Sequence, residues 1–231
     1  MKKAIFNWSG GKDSAFALGE VLEKKEYDIS FLMTSIGQKN RRVSMHGVHE
    51  ELMLEQAELI GLPLSFLELP EQPNMETYEK HLTALMQKAK SDGIEESIFG
   101  DIFLEDLRAY REKQLKQIGF HAVFPLWKRN TSFLIQEFIE KGYKTIITAV
   151  DASKLTKDFV GEVITKELIK ELPKNVDPCG ENGEFHSFVI NAPYFNSPLE
   201  IKTEEPILKN YHNDNPEISS EFWFCPILKN D

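Results

Sequence analysis

The sequence predicts an α/β fold, a doubly wound parallel sheet followed by a second, smaller α+β domain. Three observations lead there. Between residues 3 and 150 short β-rich runs alternate with longer stretches of helical periodicity. A glycine closes most of the helical stretches. Beyond about residue 172 seven prolines, from Pro173 to Pro226, break the chain into short strand-like pieces.

The elements follow in order. Strands are expected at Lys3–Trp8, Ile29–Ser35, Leu64–Leu69, Ser97–Asp101, His121–Leu126 and Lys144–Val150. Helices are expected between them at Asp13–Glu26, Val48–Ile60, Met75–Ser91, Glu105–Ile118 and Thr131–Lys141. Gly61, Gly93, Gly119 and Gly142 stand where a left-handed cap stops a helix. Repeated strand, helix and stop reads as βαβ units wound onto a parallel sheet, with ligands at the carboxyl ends of the strands. Phe185–Asn191 and Phe222–Leu228 are strand-like pieces of the second region. The boundary falls near Trp127–Asn130, giving domains 1–128 and 129–231.

Composition narrows the function classes. Of 231 residues 41% are hydrophobic, enough for a real core. Twenty-seven Lys and Arg against 37 Asp and Glu leave a net charge of −10, which disfavours a dedicated nucleic-acid binder. Cys179 and Cys225 are the only cysteines, too far apart for a zinc motif, and they suit a reducing compartment. Lys2 and Lys3 precede only three apolar residues, too few for a signal peptide, and no run approaches the ~18 residues of a membrane span. A cytoplasmic globular protein without a membrane partner is expected.

The densest chemistry lies in NWSGGKDSAF, residues 7–16. A glycine-rich turn between strand and helix makes an anion cradle from backbone N–H groups and the helix N-terminus. Gly10 and Gly11 let a phosphate approach closely, Ser9 and Ser14 offer hydroxyls, and Lys12 adds a point charge. Asp13 would repel a phosphate directly, so it is expected to cap the helix, bind magnesium, or both. Neither common phosphate loop fits. A Walker A loop needs glycine where Phe6 stands and Ser or Thr where Asp13 stands, and no GxGxxG occurs.

Two further clusters stand out. In GDIFLEDLRAYRE, residues 100–112, Asp101 ends a strand and is a candidate magnesium ligand. Arg108 and Arg111, three apart on the next helix, share a face and suit triphosphate oxygens or a substrate carboxylate. Glu105 and Asp106 follow in the first turn of that helix, with a capped helix of solvated charges as the alternative. In VDPCGENGEFHSFV, residues 176–189, Glu181, Glu184 and His186 are candidates for catalysis, amine orientation or metal binding beside two glycines. Alternation puts Glu184 and His186 on one strand face, opposite Phe185 and Ser187. Cys179 reads as a buried structural thiol rather than a nucleophile. His46 and His49 face the cleft, cap a helix or stand as satisfied surface histidines, and Asp151 and Lys154 edge the cleft or cap a helix.

SGGKDS matches the SGGxDS signature of the PP-loop ATP pyrophosphatases, whose fold is that of the adenine nucleotide alpha hydrolases. Together with GDIFLEDLRAYRE, FPLWKRNT (124–131), ITAVDASKL (147–155) and DPCGENGEFHSF it resembles the diphthine–ammonia ligase family from about residue 3 to about 195. That resemblance implies ATP and Mg2+ as cofactors, ammonia as nitrogen donor, and AMP and pyrophosphate as products. It implies a carboxylate acceptor, which is diphthine on elongation factor 2 or a small acid. CGENGEFHS replaces the family's CGEGGEYET, and GDIFLEDL replaces its GAIxSDYQ, so the chain is more similar to a branch common in bacteria. A PP-loop tRNA-modifying enzyme and a nucleotide-sensing module remain competing classes, and a homo-oligomer is compatible with the sequence.

Overall fold

The computed structural model describes residues 1–43, 47–70, 74–212 and 219–230. The first five strands are β1 (Lys2–Asn7), β2 (Tyr27–Gly37), β3 (Leu64–Leu69), β4 (Glu96–Ile98) and β5 (His121–Val123). Helices α1 (Lys12–Lys24), α2 (Glu50–Ile60), α3 (Met75–Ser91) and α4 (Glu105–Gln117) connect them. All pairings are parallel, in the order β3-β2-β1-β4-β5. The chain moves outward from β1 to β3 and then returns to the other side of β1. A cleft therefore opens where β1 and β4 lie side by side, outside their carboxyl ends.

Both faces of this sheet are covered, which explains its nearly unbroken apolar strands. Ala4 and Phe6 of β1 face a core that includes Phe16, Leu18, Leu52 and Met53 of α1 and α2. Ile5 faces the opposite core with Met86 and Ala89 of α3 and Leu115 of α4. Observed bounds agree with the predicted ones to within two or three residues, and α3 and β3 coincide with them.

Helix α5 (Thr131–Glu140) leads into β6 (Lys144–Asp151), where the winding changes. Its predicted alternation implied a sixth parallel strand. Instead β6 lies in an antiparallel sheet, β7-β6-β10-β9, with β7 (Phe185–Asn191), β9 (Ile207–His212) and β10 (Ser219–Phe224). A helix α6 (Lys166–Glu171) precedes β7. The expected strand Phe222–Leu228 is two strands, broken at Cys225–Pro226: β10 ends at Phe224, and β11 (Ile227–Lys229) pairs with β8 (Ile201–Thr203). Proline cannot supply a ladder N–H, so a break there is expected physically.

One apolar core runs through both sheets, joining Phe16 and Leu18 to Phe138, Tyr143, Phe188 and Val189. Among the described residues no helix is long and apolar enough to cross a membrane.

Candidate active site at the β1–β4 switch point

The loop between β1 and α1 is clamped from three sides. Trp8 N–H donates to Met33 O (2.8 Å), and Thr34 Oγ1 donates to Trp8 O (2.6 Å). From α2, Gln56, fully buried, accepts from Trp8 Nε1 (2.9 Å) and donates to Gly10 O (3.2 Å) and Val189 O (2.6 Å). From β7, Val189 N–H donates to Gly10 O (2.8 Å), and Lys12 N–H donates to Ser187 Oγ (3.3 Å). A loop held this firmly is preorganised for a ligand instead of being ordered by one.

Two glycines are required by this geometry. Gly10 has φ +77°, and a Cβ there would sit 2.9 Å from Gln56 Oε1. Gly100, just after β4, packs against the start of α1. A Cβ there would lie 2.9 Å from both Asp13 C and Ser14 N, backbone that cannot swing aside. Ser9 Oγ donates to Ser14 Oγ (3.0 Å) and Ser14 Oγ to Gly11 O (2.9 Å), while Gly11 at the N-cap of α1 supplies no side-chain cap. The Asp13 and Ser14 N–H groups and the positive end of the helix dipole thus remain for an anion.

Lys12 is 4% exposed, and its ammonium meets both oxygens of Asp13 (2.8 and 2.7 Å). Burial disfavours its charge, but Asp13, Cys179 and Glu181 outweigh that and hold its pKa above the ordinary lysine value. A buried ammonium pinned by one carboxylate is a cation in place for a polyanion.

The cleft beside this loop has a volume of about 500 Å³. Of the predicted residues, Ser9, Gly11, Lys12, Asp13, Ser14, Asp101, Glu181 and His186 line it, whereas Gly10, in the same loop, packs against Gln56 and Met53 of α2. Asp101 is pushed up by burial, against the pull of Arg111, with Asp13 adding to the rise. Asp101 Oδ2 and Arg111 Nε approach to 3.2 Å, yet neither buried atom has an aligned hydrogen bond among the described residues. Two carboxylates on one wall, one with an orphaned buried oxygen, suit an oxygen-seeking cation such as magnesium. Such a cation takes one or two carboxylates and completes its shell from phosphate and water. Among the described residues no group of three or more His, Cys, Asp or Glu could hold a metal without such added ligands.

Two expectations need correcting. Arg108 does not line the cleft. It is turned onto Trp127 (4.5 Å to the ring) and Phe124 (4.9 Å) and donates to Glu112 Oε1 (2.7 Å), so the guanidinium in the cleft is that of Arg111. Glu184 does not line it either. At 1% exposure it accepts from Asp177 N–H (3.1 Å), Asn182 N–H (2.9 Å) and Asn182 Nδ2 (3.0 Å). Burial works against its charge, but these hydrogen bonds win and hold it below the usual carboxylate value. Glu184 therefore staples the 177–184 loop shut.

Alternation mispaired Glu184 with His186 because β7 starts only at Phe185. Its register against β6 also slips, with Ile147 opposite Ser187 and Ala149 opposite His186. Phe185, His186 and Ser187 consequently all reach the cleft.

Glu181 is different. Burial and the charge of Asp13 push its carboxyl up to about 8, against the pull of Lys12. Asp177 shapes the turn that presents it, accepting from Cys179 N–H (2.8 Å) and from Thr131 Oγ1 (2.7 Å) at the start of α5. Cys179 is buried, which pushes its thiol up, in keeping with a structural role. His49 accepts from Glu51 N–H as the N-cap of α2, and Asp151 accepts from Ser153 in a turn; His46 lies outside the described residues.

Sequence reasoning missed Gln56, Asn7 and Asp177. Asn7 Nδ2 donates to Ser97 Oγ and Ile98 O (both 2.9 Å), tying β1 to β4 under the cleft. Asn7 and Gln56 are polar residues in apolar elements, the one signal that could have found them, whereas Asp177 stands in the polar loop before β7.

Residues 1–122 match the model of the diphthamide synthase N-terminal domain, and residues 130–219 match that of the diphthamide synthase C-terminal domain. A diphthine–ammonia ligase of Mus musculus is 24% identical over 224 residues, 87% of this chain and 83% of that protein. One of Danio rerio is 25% identical over 234 residues, 90% of this chain and 88% of that protein. Among solved structures, a predicted subunit of tRNA methyltransferase from Methanocaldococcus jannaschii aligns with TM-score 0.40 and 13% identity, over 84% of this chain and 98% of its own. With both domain models matched in order over most of its length, the chain belongs to the diphthamide synthase family.

Proposed function

We propose that this protein is an ATP-dependent, AMP-forming amide ligase that adenylates a carboxylate and amidates it with ammonia. The observation that carries the reading is the clamped Ser9–Ser14 loop, with an uncapped helix N-terminus and a buried lysine facing a cleft that also holds Arg111 and Glu181.

The α1 N-terminus and Lys12 bind the β and γ phosphates and stabilise charge building on the leaving pyrophosphate. A carboxylate oxygen of the acceptor attacks the α phosphorus. The bond from that phosphorus to the bridging oxygen breaks, and pyrophosphate leaves with the electron pair. Ammonia then attacks the acyl carbon and expels AMP, releasing one proton. Arg111 orients the carboxylate. Glu181, which exchanges its proton near neutrality, accepts the proton from the attacking nitrogen. Asp13 and Asp101 would hold Mg2+, which when bound neutralises phosphate charge.

The acceptor is diphthine on elongation factor 2 or a small acid. Asn182, Phe185, His186 and Ser187 depart from the CGEGGEYET pattern, and the last three line the cleft, which supports placing the chain nearer the bacterial-type branch, with recognition altered. The reading assigns residues 1–128 to nucleotide binding and 129–231 to completing the site. It places the protein in the cytoplasm, in keeping with two buried free thiols.

The test is ATP–pyrophosphate exchange measured with diphthine-bearing elongation factor 2 and with small carboxylic acids. Carboxylate-dependent exchange supports the ligase. Tight ATP binding with no exchange under either condition would leave a binding module.

A further inference from the structure

Gln56 lies where three elements meet. It sits on the buried face of α2 with Leu52, Met53 and Ala57, and it is itself fully buried. A polar amide in such surroundings is costly unless it is hydrogen-bonded, and this one uses its oxygen and both amide hydrogens. Nε2 donates to Gly10 O (3.2 Å) and Val189 O (2.6 Å), while Oε1 accepts from Trp8 Nε1 (2.9 Å). Only one orientation of the amide satisfies all three contacts. Turned over, it would set Oε1 against two carbonyls and Nε2 against the indole N–H.

The decisive partner is Gly10 O. Val189 N–H reaches the same oxygen at 2.8 Å, so Gln56 and Val189 close a ring of hydrogen bonds around it. In a planar trans peptide the N–H points away from the carbonyl. Holding Gly10 O toward α2 and β7 therefore holds Gly11 N–H on the other side, where it donates to Ser9 Oγ (3.3 Å) in the cleft wall. Gly11 is also the N-cap of α1, and its carbonyl accepts from Ala15 N–H (3.0 Å) to begin the helix. The tilt of this one peptide thus sets where the Asp13 and Ser14 N–H groups aim. Flanked by two glycines, it has little steric resistance of its own to turning over, so its orientation is imposed from outside. The same ring holds β7, whose Phe185, His186 and Ser187 reach the cleft, against the loop.

We infer that Gln56 is a positioning residue for the phosphate cradle. Through Gly10 O it keeps the Gly10–Gly11 peptide in the orientation that receives an anion, and through Val189 it keeps β7 in register with that peptide. That the anion is the phosphate chain of ATP rests on the ligase reading; the hold on the peptide does not.

The test uses the full chain with Gln56→Met, which keeps the length and apolar fit of the side chain but removes the amide. Leu52→Ala on the same helix serves as a control, since it removes only apolar volume. Two quantities are read: calorimetric affinity for α,β-methylene-ATP, and 15N relaxation dispersion at the Gly11 amide, which reports microsecond-to-millisecond turning of the peptide. Gln56→Met should weaken the ATP analogue about tenfold or more and bring out dispersion at Gly11 that the wild type lacks. Leu52→Ala should lower Tm, keep the affinity within about twofold and leave Gly11 quiet. If Gln56→Met does not fold, Gln56→Asn, whose amide falls one methylene short of its partners, is read in the same two ways. Either quantity unchanged in the folded Gln56 variant, or equal changes in Leu52→Ala, would overturn the inference. A wild type that does not bind the analogue would strike the ligase reading, and the Gly11 measurement alone would then uphold or overturn the role of Gln56.

Discussion

Replacing Glu184 by glutamine separates a loop staple from a catalytic acid. The carboxylate is 1% exposed and accepts three hydrogen bonds from Asp177 and Asn182. An amide keeps the volume but turns an NH2 group toward donors that need an acceptor. Losing one charge-assisted hydrogen bond costs about 1.5–3 kcal/mol, and the stranded buried donor adds to it, so about 3 kcal/mol is expected. For a chain of this size that lowers Tm by about 6–12 °C. Because its pKa is depressed in the folded state, the carboxylate's contribution is present above its unfolded pKa. It is lost as pH falls through the folded value, so the gap between wild type and Glu184→Gln should close below about pH 4. The assay is thermal unfolding at pH 7 and across the acid range, alongside turnover. An unchanged Tm with abolished turnover would refute the staple and return Glu184 to the chemistry.

Three further outcomes follow. Glu181 has a pKa raised in the folded state, so ionising it costs stability as pH rises from its unfolded value of about 4.5 to about 8; Glu181→Gln should raise Tm most at pH 8 and above, converge with wild type near pH 4.5, and lose turnover. A Tm difference independent of pH would contradict this. Lys12→Ala should weaken ATP binding by about 1–3 kcal/mol, roughly 5- to 150-fold, and calorimetry finding wild-type affinity in the folded variant would remove Lys12 from the phosphate site. Gly100→Ala forces a Cβ to 2.9 Å from the Asp13 and Ser14 backbone, so it should displace the loop and cut ATP affinity at least as much as Lys12→Ala; unchanged affinity would mean the loop has slack that the geometry denies.

What the sequence made legible was local. The β1–loop–α1 unit is written in ten contiguous residues, since glycines, hydroxyls and a lysine between an apolar run and a helical pattern have few other uses. The five parallel strands follow from alternation alone. What stayed hidden depended on partners far along the chain. The direction of β6 is set by β7 and by β10, some seventy residues away, and no local pattern encodes it. Arg108 and Arg111 share a helical face, but Trp127 and Phe124 draw one aside while Phe99 and Asp101 hold the other in the cleft. Glu184 and Glu181 have the same side chain three positions apart. Hydrogen-bond donors of Asp177 and Asn182 around one, and burial with neighbouring acids around the other, send their pKa values in opposite directions.

The central claim is adenylation of a carboxylate, and the fate of its oxygen tests that directly. An acceptor labelled with 18O in both carboxylate oxygens is incubated with ATP, magnesium and ammonia, and the products are weighed by mass spectrometry. Attack on the α phosphorus followed by displacement with ammonia predicts one 18O in AMP, one in the amide and none in pyrophosphate. Formation of ADP with the label in inorganic phosphate would contradict the account, because the carboxylate would then have attacked the γ phosphorus.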